Sequence, residues 1–135
     1  MAKKGEPDLA ITEFRVAIKI APNDPEIHTA LGSALRQKGA TEAAREELQL
    51  AAKLTKQKRD FEAAATAVQT GMQRLNEGRI EAAVERFQAA IKLNPDYALA
   101  HYQLSLAYRK KGQTVAAQTA LKQAEQLGFK PKKGP

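Results

Sequence analysis

Two histidines, His28 and His101, are the residues best suited to move a proton near neutral pH or to ligate a transition metal. Neither has a second His, an Asp or a Cys at one-turn spacing that is free to join it. Asp24 lies four residues before His28, but it also precedes Pro25 in the order of a helix cap, and capping competes for its carboxylate. Both histidines therefore read as packing residues. Glu42, Glu46 and Glu47, and again Glu77, Glu81 and Glu85, follow helical spacing with Arg45, Arg79 and Arg86 among them. That is the pattern of a solvated helix face, not of paired catalytic carboxylates. The chain has no Cys, hence no thiolate nucleophile, no disulfide framework and no Cys-containing zinc site. Neither a phosphate loop nor a Ser-centred elbow occurs. These observations predict a protein that is not an enzyme and needs no cofactor or metal.

The elements around those residues follow from composition and pattern. The 135 residues are 43% hydrophobic and 27% charged, ordinary for one globular domain and too apolar for disorder. Alanine is abundant and aromatics make up only 5%, which suits closely packed helices. No stretch approaches the length of a membrane span, and Met1 to Asp8 is polar with no apolar segment behind it, so a cytoplasmic location without membrane contact is expected. The net charge of +7 is concentrated at the end. Residues 1–108 carry 15 basic and 14 acidic side chains, and residues 109–135 carry seven basic and one acidic. No aromatic is interleaved in the basic stretch around Lys130, Lys132 and Lys133, so nucleic acid is disfavoured as a partner.

A spaced pattern recurs four times. Gly5, Ala10, Phe14, Ala17 and Pro22 have the same intervals as Gly78, Ala83, Phe87, Ala90 and Pro95. Looser copies run Gly39, Ala44, Leu48, Ala51, Lys56 and Gly112, Ala117, Leu121, Ala124, Phe129. The glycines are 34, 39 and 34 residues apart. Leu31, Gly32 and Leu35 precede Gly39; Thr70, Gly71 and Arg74 precede Gly78; Leu104, Ser105 and Tyr108 precede Gly112. Small residues allow close helix approach, large ones fill the space between pairs, and the repeated glycines suit left-handed turns. Thr41 and Thr114 are placed to cap helices, and Pro22 and Pro95 to end them.

A 34-residue unit of two helices with this Gly, Ala, Phe, Ala, Pro series resembles the tetratricopeptide repeat. The resemblance implies an all-α solenoid of about seven helices, paired antiparallel and stacked in a right-handed superhelix. It divides the chain into a half repeat at 1–24, repeats at 25–58, 64–97 and 98–131, an insertion at 59–63 and a basic tail at 132–135, all in one domain. It further implies a protein–protein interaction module that binds a peptide or helix in a concave groove, as a segment of a larger scaffold. The groove positions are Thr29, Ser33 and Arg36, then Val68 and Met72, then Tyr102, Leu106, Arg109 and Lys110.

Two departures from the family pattern suggest self-association. The Lys4–Gly5 turn has no helix before it, so Ala10, Phe14 and Ala17 are expected to face a partner the chain does not supply. The surplus of five residues and the missing Pro at Lys56 leave two readings for residues 41–76. One is a fused helix of about 54 Å at 1.5 Å per residue, and the other is a break near Lys56 to Asp60. Leu54, Phe61, Val68 and Leu75 recur every seven residues along it. A fused helix makes a homodimer, swapped through the centre, the alternative function, with Ala10, Phe14, Ala17, Leu54 and Phe61 at its contacts.

Overall fold

A computed structural model describes residues 6–130. The Gly5 turn and the basic residues Lys132 and Lys133 lie outside the described residues. Six α-helices and no strand occur among the described residues: α1 (Glu6–Ile20), α2 (Pro25–Lys38), α3 (Thr41–Asn76), α4 (Ile80–Leu93), α5 (Ala98–Lys110) and α6 (Thr114–Gln126). The expected seven become six because residues 41–76 form one helix of 36 residues. The local sequence permits the continuous helix. Pro22 and Pro95 follow the ends of α1 and α4, whereas Lys56, Gln57, Lys58 and Arg59 are helix formers with no proline among them.

The chain forms two compact units, Met1–Lys58 and Arg59–Pro135, with their boundary within α3. In unit 1, α1 pairs with α2, and Ile11, Leu31, Ala34, Leu35 and Ala44 form the core. A Cβ on Gly32 would come within 2.7 Å of the Leu48 side chain, so hydrogen at this position is what lets α2 and α3 approach. In unit 2, α5 pairs with both α4 and α6, and Phe87 lies at the centre with Val68, Ala83, Ala90, Ala100 and Leu104. Here Gly71 of α3 meets the Phe87 ring.

Gly39, Gly78 and Gly112 all adopt positive φ, 90°, 80° and 82°, as the repeat pattern predicts. Asp24 caps α2 through its side chain, accepting from the Glu26 amide at 2.9 Å. The two threonines do not cap. Each is the first residue inside its helix; the Thr41 hydroxyl donates back to the Gly39 carbonyl, and the residue before Thr114, Gln113, makes no side-chain cap.

Candidate functional site

The groove positions are related by the repeat. Thr29, Ser33 and Arg36 of α2 correspond to Val68, Met72 and Leu75 of α3, 39 residues on, and to Tyr102, Leu106 and Arg109 of α5, 73 residues on. Residues spaced by four and three fall on one helix face. In unit 1 that face is free: Thr29, Ser33 and Arg36 are exposed, while Leu31, Ala34 and Leu35 on the other side of α2 are buried. Thr29 donates its hydroxyl to the Pro25 carbonyl at 2.9 Å, leaving Ser33 and Arg36 as the polar side chains of this face without a partner among the described residues.

Unit 2 treats the same positions differently. Val68 is 1% exposed and packs in the core with Ala100 and Leu104, so it does not line an open surface. Leu75 is buried with it. Met72 remains 38% exposed, Tyr102 and Leu106 are half-buried, and Arg109 and Lys110 are exposed. One face of Tyr102 is already taken: the Phe129 ring stacks on it with centroids 4.3 Å apart and 26° between planes. In the repeat pattern Phe129 stands only as a substitute for the proline; its signal is an aromatic three residues past the end of α6.

Of the residues assigned to self-association, Ala10 and Phe14 pack against the α2 cluster of unit 1 and do not await an outside partner. The reason is that a helix carrying apolar residues on two sides turns its wider stripe to α2. Its exposed apolar residues are instead Leu9, Val16 and Ile20, at 63%, 54% and 82%. Ala17 and Leu54 are half-buried, and exposed Phe61 lies against Tyr97 with centroids 5.6 Å apart.

His28 is buried and fully engaged. Its Nδ1 is 2.6 Å from a Glu47 carboxylate oxygen and its Nε2 is 2.7 Å from the Pro22 carbonyl oxygen. Both neighbours are acceptors, which calls for a proton on both ring nitrogens. The hydrogen bond to Glu47 raises the His28 pKa above 6.5, with burial opposing it and the Pro22 carbonyl adding to it. Glu47 thus joins α3 to α2 and is not part of a solvated face. His101 keeps the equivalent bond, Nε2 to the Pro95 carbonyl at 2.9 Å, but no carboxylate among the described residues bonds its ring. Elsewhere Glu42 pairs with Arg45, and Glu81 pairs with Lys111, which lowers the Glu81 pKa.

The profile of the TPR repeat matches residues 2–39 and 73–112, more than half of the chain. The chain belongs to the tetratricopeptide repeat family. A second tetratricopeptide profile matches residues 25–58 and 98–127. No curated protein matches the TPR chain. Among solved structures, a crystal structure of MamA is 25% identical, with 91% of this chain and 69% of that chain covered and a TM-score of 0.47. A further MamA structure is also 25% identical, covering 91% of this chain and 64% of that one, at a TM-score of 0.46. A thermophilic TPR protein of Thermus thermophilus is 29% identical over 92% of this chain and 67% of that one, at a TM-score of 0.37. The TPR chain spans about two thirds of the length of these structures. No helix among the described residues is long and apolar enough to cross a membrane.

Proposed function

We propose that this TPR protein binds protein partners through the outward face of the first helix of its repeats, one patch on each unit. The observation that carries the reading is the face of α2. Thr29, Ser33 and Arg36 are exposed at helical spacing while His28, Leu31, Ala34 and Leu35 on the other side of the helix are buried. The scaffold beneath is built without them, so little ordering cost opposes binding. On unit 2 the corresponding patch offers Met72, Tyr102 and Leu106 with Arg109 and Lys110 beside them, suited to an apolar segment that carries a carboxylate. The role is that of a scaffold and not of a catalyst.

The test is affinity selection of a random-peptide display library against the full chain, followed by titration of the selected peptides. Peptides for the first patch should weaken at least tenfold on Ser33→Arg, and peptides for the second on Leu106→Arg. Binding indifferent to both substitutions would refute the proposal.

Self-assembly is the second reading, and the exposed stripe of Leu9, Val16 and Ile20 on α1 favours it. On that reading, light scattering gives the mass of two copies and Ile20→Lys restores the mass of one. A single-copy mass at every concentration argues against it.

A further inference from the structure

Unit 2 has a groove of about 550 Å³ on a different side from the outward patch. Its floor is His101, Leu104 and Tyr108 of α5, and its walls are Gln88, Ile91 and Lys92 of α4 and Ala116, Thr119, Ala120 and Gln123 of α6. At about 100° of rotation per residue, the centre of the floor residues lies roughly 130° round α5 from the centre of Tyr102, Leu106 and Arg109. The lining is mostly apolar, its basic groups are Lys92 and His101, and no carboxylate is among it.

The internal repeat says what this groove lacks. His101, Pro95 and Ala120 stand 73 residues after His28, Pro22 and Glu47. The two histidines make the same bond through Nε2, to Pro95 and to Pro22, so their rings are set alike. In unit 1 the ring's Nδ1 then meets the Glu47 carboxylate at 2.6 Å. The equivalent position in unit 2 is Ala120, which lines the same groove as His101 and carries no carboxylate. Unit 1 supplies its own acidic partner, whereas unit 2 has a buried alanine at that position, beside the groove.

We propose that the α4–α6 groove docks a helix of a partner protein that presents a carboxylate between apolar side chains, the carboxylate binding His101 Nδ1 as Glu47 binds that of His28. Lys92 at the rim adds charge complementarity, and unit 2 as a whole carries twelve basic and seven acidic residues. His101 already gives one proton to Pro95, so the carboxylate is met by a second proton on Nδ1 and the ring becomes an imidazolium. The inference rests on the reading of this chain as a protein-binding module, and adds a surface to it.

The probe is a fluorescein-labelled 18-residue helical peptide with Leu on one face and one central Glu, with a twin in which that Glu is Gln. With the full chain, the Glu peptide should bind at least tenfold more tightly than its twin. It should also move the His101 imidazole nitrogen signals to the doubly protonated form, leaving those of His28 unchanged. Ala120→Glu should fill the position from within and abolish the preference, and Lys92→Glu, at an exposed residue, should weaken binding several-fold. Equal binding of the twins, no binding of either, or a preference that survives Ala120→Glu would overturn the inference. Loss of binding on Leu106→Arg with none on Lys92→Glu would overturn it too, while supporting the outward patch.

Discussion

Phe87→Ala is expected to destabilise unit 2 by about 3–5 kcal/mol, the cost of emptying a fully buried aromatic site. Phe87 is 0% exposed and sits against α3 at Gly71, where an added Cβ would lie 2.5 Å from the ring. The core it belongs to is rich in alanine, Ala64, Ala83, Ala90, Ala100 and Ala107, whose short side chains have no reach to fill the space it would leave. Gly71→Val should act on the same contact from the other side, by overpacking, with a loss of about 1–3 kcal/mol. Urea unfolding followed by circular dichroism reads both. If Phe87→Ala does not fold, Phe87→Leu gives a measurable intermediate loss. A change below 1 kcal/mol for Phe87→Ala would mean that the ring is not the centre of unit 2.

The second large effect is pH-dependent. The folded-state pKa of His28 is raised above 6.5. Its contribution to stability is therefore fully present below the unfolded value of 6.5 and is lost as pH rises through the folded value. Glu47→Ala removes the main cause and leaves the buried Nδ1 without an acceptor, which should cost unit 1 about 1–3 kcal/mol at pH 6 and less at pH 9. Denaturation of the wild type should accordingly become easier from pH 6.5 upward, and the Glu47→Ala variant should show a flatter profile. Identical slopes for the two proteins would contradict the assignment.

The contrast between these two sites shows what a sequence discloses. Phe87 and Gly71 belong to a spaced pattern, and Gly39, Gly78 and Gly112 adopt the positive φ that their place in it requires. Pro22 and Pro95 likewise mark where α1 and α4 have ended, because a proline cannot continue a helix. The pairing of His28 with Glu47 has no such mark. It joins residues 19 apart on two helices folded back at Gly39, a separation that neither helical periodicity nor one-turn spacing tests. Between Lys53 and Asp60 the sequence holds neither a stop signal nor a strong apolar stripe, so fusion and a break are both compatible with it; the helix runs through. Val68 was placed by the repeat register, which is blind to how α5 covers that position. Thr41 and Thr114 lie one residue inside their helices, a distance smaller than pattern reading resolves.

The most direct test of binding through the outward first-helix faces is amide chemical-shift mapping of the full chain with a library-selected peptide. The account predicts perturbations clustered at Thr29, Ser33 and Arg36, or at Met72, Tyr102, Leu106 and Arg109. Shifts confined to the exposed stripe of α1, or spread without any cluster on these faces, would contradict it.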